Sequence, residues 1–375
     1  MYIPQIELEQ LKKKAAPGKV VIIYGPRRVG KTTLLKKYLE TESDYLFVTG
    51  EDIFVRDFLA SGSIEKLKEF VGNKTLLVID EAQYIPDIGL NLKLIVDHLP
   101  HVKVIATGSS TFDLVKHVGE PLTGRKYVIK MYPISQIELS QLENPAQTKA
   151  HLETRLTYGS YPEVITLESD IARQEYLKEL VSSYLLKDIL AFEGVQKAKK
   201  IIDLLTLIAF QIGKEVSHSE LATQLSMSKS MVEKYLDLLE QVFVIVNIRG
   251  FSRNLRKEVT KTSRYYFCDN GIRNTLINNF NSFNRRNDVG ELWENYLVME
   301  RLKKQESGRL WSNNFFWRTY DQKEVDWVEE REGKLFAYEF KWGASVEKPP
   351  KLWTETYPES SFECINQNNY LKFIL

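Results

Sequence analysis

The sequence predicts an α/β chain, with a parallel five-stranded sheet first, then a helical stretch and two smaller modules. Three observations carry this expectation. Up to about residue 133, five short β-rich runs alternate with helical ones. The strand runs are almost continuously apolar, as in sheets covered by helices on both faces. The first of them runs directly into "GPRRVGKT" at 25–32, a glycine-framed loop followed by a helical run.

The five strands are expected in "KVVIIYG" (19–25), "DYLFVTG" (44–50), "TLLVIDE" (75–81), "VKVIATG" (102–108) and "YVIKMY" (127–132). Helical stretches such as "KTTLLKKYLE", "SIEKLKEFVG" and "LNLKLIVDHL" separate them. From 134 to 212 the period turns helical throughout, as in "QEYLKELVSSYLLKDIL" and "KKIIDLLTLIAFQI". Residues 213–280 then predict a helix at 219–225, a turn at "SMS", a helix at 229–241 and the strands "VFVIVNI" and "RYYFCD". Helix, turn, helix and strand pair in that order form a winged-helix layout. Beyond the polar "NSFNRRND", residues 285–375 predict a long helix (290–304). Strands follow in "NNFFWRTY", "EVDWVEER" and "LFAYEFKW". The expected domains are thus 1–133, 134–212, 213–280 and 285–375.

Bulk properties narrow the function classes. A chain of 375 residues is long for one core. A formal net charge of +1 gives no global pull toward nucleic acid or membrane, so any basic site must be local. Cys268 and Cys364 are far apart and lack metal-type spacing, which fits a reducing compartment. Apolar stretches such as "IIDLLTLIAF" are too short to span a bilayer, and the start lacks a signal-peptide layout. The expectation is a cytoplasmic protein without a membrane partner.

The chemistry begins at the loop. Gly25, Pro26, Arg27, Arg28, Val29, Gly30, Lys31 and Thr32 match G-x-x-x-x-G-K-T, and Thr33 continues into the helix. Glycines let backbone N–H groups converge on phosphate oxygens at a helix N-terminus. Lys31 would meet the β- and γ-phosphates, and Thr32 would offer its hydroxyl to Mg²⁺. Asp80 ends an apolar strand and would hold the same Mg²⁺, while Glu81 would orient and deprotonate water. An acid beside the metal-binding Asp suits hydrolysis. "NKTL" (73–76) lacks the acid that would read guanine, which favours ATP. Ser109, after "VIATG", is either a γ-phosphate sensor or part of an ordinary turn. Arg27 and Arg28 have three open roles: phosphate, a neighbouring subunit or solvent.

Taken in order, "GPRRVGKT", "IDEAQ", "TGSS", "GR" (124–125) and "PISQIE" resemble a bacterial and archaeal branch of AAA+ ATPases. In that branch the ATPase is fused to a C-terminal domain of unknown function. The resemblance runs on through "YGSYPEVI", "YYFCDNGIRNTLI" and "ELWENYLVMERL", with Ser160 where relatives often carry a glycine. It implies strand order 5-1-4-3-2 and makes Arg125 a candidate finger or sensor for the γ-phosphate. A finger acting in trans implies a homo-oligomer; the alternative is a surface arginine in a basic turn.

Two downstream features suggest DNA. Lys229 and Lys234 lie on the second helix of the winged-helix layout, but Glu233, Asp237 and Glu240 share it. The wing is more basic: Arg249, Arg253, Arg256, Lys257, Lys261 and Arg264, against Glu258 alone. Backbone contact to DNA through the wing competes with internal packing or assembly. In the last module Glu294, Asp326, Glu339 and Lys341 look like a PD-(D/E)xK nuclease core. Two carboxylates could bind Mg²⁺ there while Lys341 supports water. The alternatives are a binding module without turnover, or a half-buried strand showing a polar face to solvent. Three functions follow: a DNA-acting ATPase, an ATP-dependent switch that binds a protein partner, or an ATP-gated nuclease.

Overall fold

A computed structural model of the chain describes residues 2–108, 122–185, 198–252, 263–319 and 321–375. Ser109, Arg253, Arg256, Lys257 and Lys261 lie outside the described residues. The chain divides into two compact units, 2–133 with 241–243, and 134–240 with 244–375.

The N-terminal unit is built on five parallel strands: β1 (Val20–Tyr24), β2 (Tyr45–Thr49), β3 (Leu76–Asp80), β4 (Lys103–Gly108) and β5 (Lys126–Lys130). Their order across the sheet is β2-β3-β4-β1-β5, which is 5-1-4-3-2 read from the other edge. Central strands must be apolar on both faces, and β1 and β3 are: Val20–Ile23 and Leu76–Ile79 are all buried. On one face Val20, Ile22, Leu77, Ile79, Val104 and Ala106 pack with Leu59, Leu67, Leu92 and Ile95 from the covering helices. Burying that many aliphatic side chains, at about 1.5–3 kcal/mol each, is what holds the sheet ends in register. Helices 7–14 and 53–59 add to the three read from the sequence.

The C-terminal unit opens with helices 136–139, 145–158, 162–166, 170–179 and 198–210. Asn144 accepts from the N–H groups of Ala146 and Gln147, and this capping box starts the helix at Pro145. A seven-stranded mixed sheet follows, in order β12-β11-β10-β9-β7-β8-β6. Its strands are β6 (Glu215–Val216), β7 (Ile245–Gly250), β8 (Ser263–Phe267), β9 (Asn313–Arg318), β10 (Glu324–Arg331), β11 (Lys334–Phe340) and β12 (Ser361–Ile365). The expected helix-turn-helix elements are present at His218–Gln224 and Lys229–Gln241, followed by the antiparallel pair β7–β8. Parallel pairing of β7 with β9, at Arg249↔Phe315, makes one sheet of the segments read as 213–280 and 285–375.

Each face of that sheet carries a core. Trp293 and Leu297, from the helix Val289–Gly308, pack with Trp327, Phe340 and Ile365, while Trp317, Val325, Val328 and Trp353 form a second cluster. A bulge explains how one strand feeds both. On β10 the residues 326 and 327 stand against the single residue 316 of β9, so Val325 and Val328 enter one core and Trp327 the other. Among the described residues no helix is long and apolar enough to cross a membrane.

Candidate functional site

The glycine-framed loop leaves the C-terminal end of β1, and the helix Lys31–Leu39 begins directly after it. Backbone crowding dictates its glycines. A Cβ on Gly25 would stand 2.3 Å from the Met131 carbonyl oxygen. Gly30 has φ +99°, and a Cβ there would stand 2.6 Å from Gln5 Nε2. Gln5 is buried and donates to the carbonyls of Val29 and Gly30, both at 3.4 Å, so the N-terminal segment braces the loop.

Lys31 is only 4% exposed, and its Nζ donates to the Gly25 and Pro26 carbonyls at 2.9 Å each. The lysine is therefore curled over the loop it would share with a phosphate. Thr32 Oγ1 donates to Asp80 Oδ2 at 2.7 Å, bringing together the two expected Mg²⁺ ligands, one on the helix after the loop and one at the end of β3. Asp80 Oδ1 accepts from Thr107 Oγ1 and from the Glu81 N–H at 3.2 Å. Glu81 takes a left-handed backbone (φ 50°), and its carboxylate accepts from Gln83 Nε2. Arg27 donates to the Tyr84 hydroxyl at 2.9 Å, which ties the loop to the turn after β3. Hard oxygens of Thr32 and Asp80 in contact, beside a lysine and an open glycine backbone, fit a Mg²⁺–nucleotide.

Thr107, Gln5 and Gln83 escape the sequence reading. Thr107 sits two residues before Ser109, is fully buried on the central strand β4, and its hydroxyl also accepts from the Glu81 N–H at 3.0 Å. Its signal was available: a hydroxyl inside an otherwise apolar strand needs a partner. Arg125 lies at the other end of the sheet. Its carbonyl accepts from the Val20 N–H, while Tyr24, next to the loop, is level with Lys130. Five residue steps of strand separate those levels, about 17 Å. Arg125 Nε donates to Asp97 Oδ1 at 2.6 Å, and the pair is part exposed.

In the C-terminal unit Glu294, Asp326, Glu339 and Lys341 do converge, and none of the carboxylates faces solvent. Asp326 and Glu339 are each 6% exposed, so a strand showing its polar face to water is ruled out. The bulge aims Asp326 at β11, where Oδ2 accepts from the Phe340 N–H at 2.8 Å. Lys341 Nζ pairs with Glu339 at 2.9 Å and with Glu347 at 3.3 Å.

Arg264 corrects one expectation. Read as part of the basic wing, it is 3% exposed and lies inside this cluster. Its guanidinium stands 2.7 Å from Glu324, 3.7 Å from Glu294 and 3.7 Å from Asp326. Tyr266 donates to Glu294 at 2.7 Å. Burial, then the charge of Asp326, pushes Glu294 up to about 8. Burial and the same neighbour push Glu339 up to about 7, against the pull of Lys341. Burial likewise raises Asp326. Of the remaining cations, Lys229 is exposed and 3.6 Å from Glu233, and Lys234 and Arg249 are exposed. Ser160 is accommodated: its N–H donates to the buried Asp269 at 2.7 Å.

Comparison with known proteins agrees with the geometry of the first unit. Residues 17–140 match the family model of an AAA domain. Residues 149–282 and 289–352 match two domains of unknown function, DUF8612 and DUF4143. The AAA match implies nucleotide binding and points to a nucleotide-hydrolysing protein of AAA type. Uncharacterized proteins of bacteria and archaea are similar over most of the chain. One from Mycobacterium tuberculosis is 26% identical, with 88% of this chain and 72% of that protein covered. One from Methanocaldococcus jannaschii is 23% identical, covering 84% and 73%. One from Haemophilus influenzae is 24% identical, covering 88% and 84%.

Proposed function

We propose that the N-terminal unit hydrolyses ATP and that the cycle drives engagement of DNA by the C-terminal unit. The observation that carries the first half is the contact of Thr32 with Asp80, beside Lys31 and Glu81. When bound, Mg²⁺ offsets the charge of the phosphate oxygens, and Thr32 and Asp80 are the residues that would hold it. Lys31 exchanges loop carbonyls for phosphate oxygens. Glu81, released from Gln83, orients a water and takes its proton. Thr107 keeps Asp80 and the Glu81 backbone in place throughout.

Arg125 is too far along the sheet to serve the loop of its own chain, which favours a finger presented to a second copy. A homo-oligomer is therefore part of the proposal. DNA contact rests on the winged-helix layout and on exposed Arg249 and Lys234, and it would be made to phosphates rather than bases. The second reading, a switch that binds a protein partner, draws on Lys229 being engaged by Glu233.

One assay separates the two. ATP turnover is measured with and without single-stranded, duplex and four-way-junction DNA, with Lys31→Ala as the blank. Stimulation by any of these, falling with salt, supports DNA action. Turnover indifferent to DNA, with no DNA retained at low salt, refutes it and leaves the protein-binding switch.

A further inference from the structure

The carboxylate cluster of the C-terminal unit contains its own cation. Glu294 comes from a helix, Glu324 and Asp326 from β10, and Glu339 from β11. A metal-dependent nuclease of this layout would place a divalent ion between such groups. Here the guanidinium of Arg264 stands 2.7–3.7 Å from Glu294, Glu324 and Asp326, and its carbon lies 4.4 Å from the centre of the Phe316 ring. Arg264 is anchored by the antiparallel β7–β8 pairing, opposite Ile248. It cannot swing out without emptying a buried position. A planar guanidinium satisfies several carboxylates at once and cannot lose its proton, which suits a permanent occupant better than a lysine would.

Lys341, the residue that would support an attacking water, is bound to Glu339 and Glu347. Glu294, Glu324, Asp326, Glu339 and Glu347 thus face Arg264 and Lys341, with Arg318 also 3.9 Å from Glu324, and burial keeps Glu294 and Glu339 protonated above the usual carboxylate range.

We propose that Arg264 is the resident cation of this cluster, occupying the place of a divalent ion, so that the C-terminal unit takes no metal there and does not cut nucleic acid. The proposal runs against the ATP-gated nuclease reading and is independent of ATP hydrolysis.

The test is Mn²⁺ binding to the full chain, followed by electron paramagnetic resonance without nucleotide. Asp80→Asn is present throughout to silence the N-terminal site. The parent protein is expected to bind no Mn²⁺ saturably up to millimolar concentration. Arg264→Ala is expected to gain one ion per chain, and adding Glu294→Gln to lose it again. Mn²⁺ should raise the melting temperature of Arg264→Ala and leave the parent unchanged. Should Arg264→Ala fail to fold, the parent still decides. One saturable Mn²⁺ per chain, abolished by Glu294→Gln, or plasmid cleavage abolished by Lys341→Ala, overturns the proposal. A folded Arg264→Ala protein that gains no ion also overturns it, because the cluster is then not a cation site at all.

Discussion

Two acidic sites in this chain invite comparison, Asp80 in the N-terminal unit and Asp326 in the C-terminal one. Both are buried at strands; on sequence Asp80 is expected to hold Mg²⁺ and Asp326 belongs to a possible nuclease-like set. They differ in their partners. Asp80 accepts from two hydroxyls and one backbone N–H, all neutral donors. Asp326 accepts a backbone N–H but also faces Arg264. An acid oriented by neutral donors keeps its charge available for an incoming cation. An acid facing a guanidinium has already spent that charge internally, and removing the partner leaves it stranded. Placement follows the same division: the first site opens at the strand ends of a parallel sheet, and the second lies among packed elements.

The largest expected effect tests the first half of the comparison. Glu81→Gln should lower ATP turnover about 10²–10⁴-fold while nucleotide binding persists, read by steady-state hydrolysis beside titration of a fluorescent nucleotide. Equal loss of binding and turnover would show that Glu81 holds the loop rather than water. For the second half, Arg264→Ala should destabilise the protein by about 3–5 kcal/mol in denaturant unfolding, because three carboxylates lose their cation. A cost under about 1 kcal/mol would mean the cluster is hydrated and the pairing weak.

Acidity gives a third probe. Glu294 and Glu339 are raised to about 8 and about 7, against about 4.3 for an unfolded glutamate. Between these values the folded chain holds protons that the unfolded chain has released. Their contribution to stability is therefore complete below the lower value and lost as pH rises through the upper one. Arg264, Tyr266, Glu324, Asp326, Lys341 and Glu347 are the charged and titratable groups that face the pair. Melting temperature should fall from about pH 5 to about pH 8. Glu294→Gln should flatten that fall, and an unchanged slope would assign it elsewhere. The smallest effect belongs to Thr107→Val, which removes one hydroxyl beside Asp80. Turnover should drop about tenfold with little change in stability beyond about 1 kcal/mol.

Legibility tracked contiguity. The loop 25–32 and Asp80–Glu81 are local motifs on apolar strands, so their order, elements and mutual contact could be anticipated. Strand boundaries in the N-terminal unit agree within a residue or two for the same reason. Arg264 was misread because its neighbours in sequence are cations, whereas its neighbours in space are acids 30 to 62 positions away. The β10 bulge was equally hidden, since period-two alternation contains no sign of an extra residue.

By itself, then, the sequence determined the glycine-framed loop, the acidic residues after β3, the five-stranded parallel sheet and the helical and strand segments beyond it. Those follow from short-range rules: glycine at crowded or left-handed backbone, apolar continuity in buried strands, polar residues at strand ends. Tertiary structure alone decided that Thr107 and Gln5 support the loop and that Arg125 lies at the far end of the sheet. It also decided that the strands from 215 to 365 form one sheet and that Arg264 enters the carboxylate cluster. Each of these depends on which distant segments pair, and pairing is a property of the packed chain.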